Sequence, residues 1–124
     1  AESITEGAGT TRLTREQLLD SAGIDEETLS QIEEFELIRR RPNQKYFDAD
    51  ALVVASLVGE LAGLGLEPRH LRGCRTAADR EVGLLDQVVP QSTRQQGDAA
   101  TKLAELAALS VRLHTVLVRS DLRN

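Results

Sequence analysis

Hydrophobic positions along the chain recur mainly at the three- and four-residue steps of an α-helix. The first such segment starts after Thr14, which forms a capping-box pattern with Gln17, and it ends at Gly23. A second segment begins at Asp25, a natural N-cap residue. The pattern therefore predicts two short helices separated by a turn.

Two longer helical segments follow further along the chain. Asp48 can cap a third helix, and Gly65 is placed to close it in a left-handed conformation. A fourth helix is predicted from Glu67-Pro68, since proline is tolerated in a first turn, and Pro90 marks its end.

An extended pattern lies between the second and third helices. Phe35, Leu37 and Ile38 favour a brief strand, and Pro42-Asn43 favours a turn after it. Tyr46-Phe47 would be the returning strand. We expect a small β-hairpin here.

The last segment, from about Thr93 to Leu122, has the pattern of one long helix in which Gly97 is the weak point. Its apolar stripe alternates steps of four and three, as in a coiled coil. The stripe consists of Ala99, Leu103, Leu106, Ser110, Leu113, Leu117 and Ser120. Pairing of this helix in a homodimer is the favoured interpretation, and packing against the chain's own small domain is the alternative.

These patterns divide the chain into three parts. Residues 1–11 are small and polar and are expected to be a linker or disordered tail. Residues 12–89 form the predicted globular domain, and residues 91–124 form the long helix. The chain contains no Met, so we expect it to be a piece of a longer protein.

Composition restricts the possible functions. The net charge of −5 is opposite to the basic surface expected of a DNA-binding domain, and three aromatic residues provide no stacking platform for single strands. Cys74 is the only cysteine, which fits a reducing, cytoplasmic location. No apolar run approaches the roughly 20 residues of a membrane span, so no membrane role is expected.

Several segments agree with one known family. TLSQIEEFELI at Thr28–Ile38, Lys45-Tyr46-Phe47 and the run Leu64-Gly65-Leu66-Glu67-Pro68 occur in an order that resembles the MerR family of bacterial transcription regulators. The resemblance implies a mainly α fold, namely a degenerate MerR-like winged helix-turn-helix unit of four helices and a small β-hairpin wing, followed by a long C-terminal dimerisation helix. The chain also resembles the second domain of actinobacterial regulators of the FtsR type, and this resemblance implies that a DNA-binding half comes first.

The second helix departs from the family pattern T-[IL]-R-x-[YW]-E-x-x-G-L-[IL]. Ser30 stands in place of the arginine, Ile32 in place of the aromatic residue and Glu36 in place of the glycine. Six carboxylates and no Lys or Arg lie between Asp25 and Glu36. Because phosphate contacts supply most DNA affinity, we expect this helix not to read DNA.

Two basic groups are candidate contacts for DNA or an acidic partner. The first lies on the predicted wing and the second at the start of the fourth helix, with Arg75 continuing its three-residue spacing. Together they are Arg39, Arg40, Arg41, Lys45, Arg69 and Arg72. The alternative for the wing is a solubilising hairpin whose arginines pair with nearby glutamates.

Other candidate chemistry is sparse. Glu33, Phe35, Arg40 and Tyr46 are the surface predicted for an effector or partner, from fold position alone. His70 and Cys74 are one helical turn apart, but two ligands do not make a zinc site, and a partly buried structural cysteine is favoured. No cofactor, metal or catalytic constellation is predicted, and no enzymatic activity is expected.

The resulting hypothesis is the regulatory and dimerisation domain of a MerR-like transcription regulator. The terminal helix would join two copies through Leu103, Leu106, Ser110, Leu113 and Leu117. DNA would be bound by the preceding part of the parent protein, and the effector would be a small molecule or a protein. The alternative is direct binding of double-stranded DNA through the basic wing and the fourth helix.

Overall fold

The computed structural model describes residues 11–40 and 42–123. Within these residues the fold is mainly helical, with 74% helix. Its five α-helices are α1 (Arg15–Ala22), α2 (Glu26–Glu34), α3 (Ala49–Gly63), α4 (Arg72–Val88) and α5 (Gly97–Arg123). The chain divides into two compact units, one ending at Arg75 and the other beginning at Thr76.

The ends of α1 follow the capping rules. The Gln17 N–H donates to the Thr14 hydroxyl at 3.1 Å, and the Thr14 N–H donates to the Gln17 side-chain oxygen at 2.9 Å. At the other end Gly23 adopts a φ of 70°, and its N–H donates to the Leu19 carbonyl. The predicted capping box and the glycine C-cap are both confirmed.

Aspartates begin the next two helices, as predicted. The Asp25 carboxylate accepts the Thr28 N–H at 2.8 Å, and the Asp48 carboxylate accepts the Ala51 N–H at 2.9 Å. Each bond satisfies an N–H that has no partner within the helix. Beyond the end of α3, Gly65 has a φ of 106°, the left-handed conformation expected of it.

The predicted β-hairpin is not present in the described residues. Ile38 and Tyr46 do not belong to paired strands, and Arg41 lies outside the described residues. Instead, Phe47 forms an isolated antiparallel bridge with Leu13, with N–H to carbonyl distances of 2.9 and 2.8 Å. The chain does reverse near Pro42, but the returning segment pairs with the residues before α1.

The core of the first unit lies between α1, α2 and α3. Leu18, Leu29, Ile32 and Phe47 have the largest fully buried side chains. Facing them, α3 contributes small residues, which let helices approach closely. At Gly59 an added Cβ would lie 2.8 Å from the Ile24 side chain, so the glycine permits this contact.

The second unit is a helical pair joined through Pro90. The fourth helix does not start as one regular helix, because Pro68–Leu71 is a 3-10 turn and α4 begins only at Arg72. Likewise, the final helix begins at Gly97 rather than Thr93. The Thr93 N–H and hydroxyl both donate to the Pro90 carbonyl, which closes a separate 3-10 turn before α5.

Polar contacts join α4 to α5 and to the connection between them. Ser110 donates a hydrogen bond to Glu81, and Arg94 pairs with Asp86. Leu103 and Leu106 are half-buried on the same stripe as Ser110. This part of the predicted seam therefore packs within its own chain.

Within the described residues of the second unit, no element covers the remainder of α5. Every described residue from Val111 onward is exposed. Leu113 and Leu117, which continue the stripe, are 61% and 57% exposed. The helix therefore presents an uncovered apolar face over more than three turns.

As to membranes, no single described helix is long and apolar enough to cross a bilayer, although α3 and Pro68–Val88 meet that test together as a bent pair.

Candidate functional site

The acidic face of α2 is held by an arginine from α1. The Arg15 guanidinium contacts Glu26 at 2.5 Å and Glu33 at 3.0 Å. Hydrogen bonding from Arg15 lowers the pKa of Glu26, and the bond to Glu26 raises the pKa of Arg15 above its usual value. The two carboxylates are one side of a compact ionic cluster that joins α1 to α2.

Ser30 lies on the same face, at the position where the family pattern has arginine. Its hydroxyl donates to the Glu26 carboxylate at 3.2 Å. Glu27 and Glu34 are exposed on α2 nearby. Apart from the Arg15 guanidinium, the surface that would meet a DNA phosphate is therefore lined with acceptors and negative charge.

The basic segment after α2 turns back onto these acids. Arg39 contacts Glu36 at 3.0 Å, and Arg40 contacts Glu33 at 3.6 Å. The Arg40 guanidinium also lies 4.5 Å from the centre of the Phe47 ring, within cation–π range. Both arginines thus have partners within the chain, which is the arrangement that the solubilising alternative requires.

The arginines after α3 do not form one free basic face. Arg69 lies in the 3-10 turn and contacts Glu67 at 3.4 Å. The Arg72 guanidinium is 5.2 Å from the centre of the Phe35 ring. Arg75 donates to the Glu36 carbonyl at 3.4 Å. Arg72 and Arg75 therefore hold the start of α4 against the residues that follow α2, whereas Arg69 pairs within its own turn.

The residues predicted as an effector surface fall into three contacts. Glu33 and Arg40 pair with each other, whereas Phe35 is covered by Arg72. Tyr46 lines a small cavity together with Arg40, and the Arg12 guanidinium lies 6.0 Å from its ring centre. The structure does not bring all four side chains together.

His70 and Cys74 have no shared role in the structure. The His70 Nδ1 accepts the Glu67 N–H at 3.0 Å, so the imidazole caps the 3-10 turn. Cys74 is exposed, so the expectation of a partly buried structural cysteine is wrong. Because α4 begins just before it, its side chain projects from the first helical turn. Among residues 11–40 and 42–123, no cluster of three or more His, Cys, Asp and Glu residues could hold a metal ion.

Sequence reasoning missed one residue, Arg12. It lies beside Leu13 in a groove of about 440 Å³. The groove is lined by Thr11, Arg12, Asn43, Gln44, Lys45, Tyr46, Phe47 and Asp48, and is called the Arg12–Lys45 groove below. The pairing of Leu13 with Phe47 brings its two sides together, and nothing local in the sequence predicts that pairing.

The left-handed conformation of Glu36 provides a stability test. Its φ is 58°, a conformation that glycine adopts without strain and other residues adopt at a cost. We expect Glu36→Gly to raise the free energy of unfolding by about 0.5–1 kcal/mol, because loss of the exposed Arg39 contact costs little. Urea unfolding followed by circular dichroism measures the change. Glu34→Gly, at a helical position, is the control and is expected to be destabilising. Equal effects of the two variants would contradict this explanation.

Acid is expected to destabilise the first unit through one helix cap and one ion pair of α2. Hydrogen bonds from the Thr28 side chain and N–H lower the pKa of Asp25, and Arg15 lowers that of Glu26. Since both pKa values are lower in the folded than in the unfolded chain, this stabilisation is complete above the unfolded-state values. The stabilisation is lost as the pH falls below about 4.5, the ordinary pKa of glutamate, and then through the lower pKa values of the folded chain.

Urea midpoints measured between pH 7 and pH 3 check this dependence. Glu26→Gln removes one of the two titrating groups. Its midpoint is therefore expected to fall less steeply in acid than that of the unchanged chain. Identical slopes would show that the contact between Arg15 and Glu26 contributes nothing to acid sensitivity.

Comparison with known proteins gives consistent matches. Residues 11–124 match the family described as Rv1828-like, C-terminal domain. The chain is similar to "Uncharacterized HTH-type transcriptional regulator Rv1828" of Mycobacterium tuberculosis, with 38% identity over 118 residues, covering 91% of this chain and 47% of that protein. The same values apply to "Uncharacterized HTH-type transcriptional regulator Mb1859" of Mycobacterium bovis. The chain spans about half the length of the curated relatives it matches.

Proposed function

Because this chain belongs to the family of Rv1828-like C-terminal domains, we propose that it is the regulatory and dimerisation domain of a DNA-binding transcriptional regulator. Its relatives are named as HTH-type transcriptional regulators, and that name says nothing of which half contacts DNA. In the proposal, DNA is bound by another part of the parent protein. The domain described here joins two copies and responds to an effector.

The observation that carries the proposal is the acidic surface of α2. In a helix-turn-helix reader this helix would enter the major groove, where each unpaired carboxylate would meet phosphate charge. Here Glu27 and Glu34 are exposed, and Ser30 bonds to a neighbouring glutamate. Arg39 and Arg40 are already paired with carboxylates, so releasing them for DNA would cost those contacts.

The finer assignment to a degenerate MerR-like unit is supported by one backbone feature. The family pattern has glycine where this chain has Glu36, and Glu36 adopts the left-handed conformation that favours glycine. The side chain at this position therefore differs from the family pattern, whereas the backbone has the conformation that the glycine of the pattern favours. The proposed unit comprises residues 12–89, and its wing is reduced to a loop.

Dimerisation is proposed to use the carboxyl-terminal half of α5. Along the apolar stripe of α5, Leu103, Leu106 and Ser110 are half-buried. Leu113 and Leu117, which follow them on the stripe, are exposed. A second copy of the helix would cover these leucines and exclude water from them. In the parent protein, such pairing would set the distance between two DNA-binding units, and an effector could act by changing that geometry.

Titration with double-stranded DNA tests the proposal against the alternative of direct DNA binding. The fragment is mixed with a fluorescent duplex at low salt and again at physiological salt. We expect no saturable binding at micromolar protein. Binding that weakens steeply with salt, and is lost when Arg69 and Arg72 are replaced by glutamine, would overturn the proposal in favour of the alternative.

A matched variant makes a negative result informative. Replacing Glu27 and Glu34 with lysine reverses the exposed charge of α2 without touching its buried face. If acidic charge is what prevents DNA contact, this variant should bind the duplex in a salt-dependent manner. A variant that stays folded and still does not bind would show that something other than charge excludes DNA.

A further inference from the structure

The Arg12–Lys45 groove lies between two segments that meet through one pair of backbone hydrogen bonds. Thr11 and Arg12 line one side, next to Leu13, and residues 43–48 line the other, including Phe47. The Leu13 N–H donates to the Phe47 carbonyl at 2.9 Å, and the Phe47 N–H donates to the Leu13 carbonyl at 2.8 Å. All of the described lining residues belong to the first unit.

Two cations face this groove without a carboxylate partner. Within residues 11–40 and 42–123, neither Arg12 nor Lys45 forms an ion pair. The other described arginines before Arg72 each contact a carboxylate, namely Arg15, Arg39, Arg40 and Arg69. The neighbouring arginines of this acidic chain are paired with carboxylates. An arginine and a lysine without such a pair at one groove therefore indicate a site for an external anion.

The other groups in the groove suit a tetrahedral oxyanion. The Asn43 amide and the Tyr46 hydroxyl can donate hydrogen bonds in addition to the guanidinium and the ammonium. Asp48 is the one carboxylate among the described lining residues, and it is engaged as the N-cap of α3, accepting the Ala51 N–H at 2.9 Å. Arginine offers the paired N–H geometry that phosphate oxygens accept, and lysine adds a point charge.

We propose that the Arg12–Lys45 groove binds a phosphate group. The volume of about 440 Å³ is within the range of small-molecule sites, so the group can belong to a phosphorylated metabolite. The same chemistry could come from the phosphate backbone of DNA. The experiments below distinguish these two sources.

A bound phosphate would add a second connection between the two sides of the groove. At present the Leu13–Phe47 bridge is the backbone link between them in the described residues. An anion held by both Arg12 and Lys45 would fix the chain immediately before α1 relative to the loop before α3. If the domain is regulatory, as proposed above, phosphate binding would stiffen the segment that leads into it.

Inorganic pyrophosphate is the first probe. Its binding is measured from changes in the amide chemical shifts of the isotope-labelled domain. We expect saturable shifts at Arg12 and at residues 43–46, and none with potassium chloride at the same ionic strength. Arg12→Gln combined with Lys45→Gln should weaken binding about tenfold or more. Lys102→Gln, which removes one exposed positive charge on α5, is the matched control and should leave affinity unchanged.

The outcomes separate this inference from the proposed function. Shifts spread over the whole surface, or equal affinity in the double variant and the Lys102→Gln control, would overturn the phosphate site and leave the dimerisation tests untouched. Retained binding in Lys45→Arg would support it, since that variant keeps the charge. In a second arm, a short DNA duplex replaces pyrophosphate. Duplex binding that is lost in the double variant would support the phosphate site but overturn the proposal that this domain makes no DNA contact.

Discussion

Replacing Phe47 with alanine is expected to lower the free energy of unfolding of the first unit by about 3–5 kcal/mol. The Phe47 side chain is 1% exposed and has the largest volume among the fully buried residues. Its removal deletes apolar contacts and leaves a cavity that the surrounding helices cannot fully close. The Arg40 guanidinium above the ring would also lose its aromatic partner.

Denaturant unfolding followed by circular dichroism measures this loss. Tyr46→Ala is the matched control, because Tyr46 is the adjacent aromatic residue and is 42% exposed. We expect it to change stability by less than about 1 kcal/mol. Phe47→Leu should be intermediate, since leucine keeps most of the buried volume. Equal effects of Phe47→Ala and Tyr46→Ala would contradict the burial of Phe47 in this fold.

Local signals allowed the helix boundaries of the first unit to be predicted. Thr14, Asp25 and Asp48 cap helices because their side chains accept hydrogen bonds from N–H groups three residues away. Gly23 and Gly65 end helices because their left-handed conformation favours glycine. Such interactions depend only on neighbouring residues, so the sequence contains all the information they require.

The missing hairpin shows where local patterns fail. Pro42-Asn43 correctly indicates a reversal of the chain, but turn chemistry does not specify which segment the returning residues will meet. Burial of Phe47 decides this, because its ring enters the core beside Leu18 and Leu29 and the backbone then lies against Leu13. The partner is more than thirty residues away, and no periodicity identifies it.

Ion pairs likewise divide into those between neighbouring residues, which spacing predicts, and those that depend on how helices pack. The contact between Glu36 and Arg39 spans three residues and could be anticipated from spacing. The contact of Arg15 with Glu26 and Glu33 depends on how α1 packs on α2, which the sequence does not state. For the same reason, the Arg12–Lys45 groove was missed, since its two cations come together only in the folded unit.

Replacing Leu113 and Leu117 together with aspartate is expected to abolish the proposed homodimer. Both side chains are exposed in the single chain, so a charged residue there should leave the fold of each copy unchanged. In a helix pair the same positions would lie at the centre of the interface, where an unpaired carboxylate is costly to bury. We expect the dimer dissociation constant to rise about 100-fold or more.

Sedimentation equilibrium or multi-angle light scattering over a range of micromolar concentrations measures the effect. Ala108→Asp is the matched control, because residue 108 lies on the opposite side of α5 from this stripe and is exposed. It introduces the same type of charge into the same helix and should leave the dimer intact. Leu106 is less suitable for the test, since it is half-buried within its own chain and its loss would also weaken the α4–α5 pair.

The controls make the result interpretable in either direction. If the double variant is monomeric with unchanged helix content while Ala108→Asp remains a dimer, the stripe through Leu113 and Leu117 is the interface. If the unchanged chain is itself monomeric at tens of micromolar, the proposed pairing is wrong for this domain. If all three proteins are equally dimeric, a different surface joins the copies. The exposed apolar residues of α3, Val53 and Leu57, would then be the next to replace.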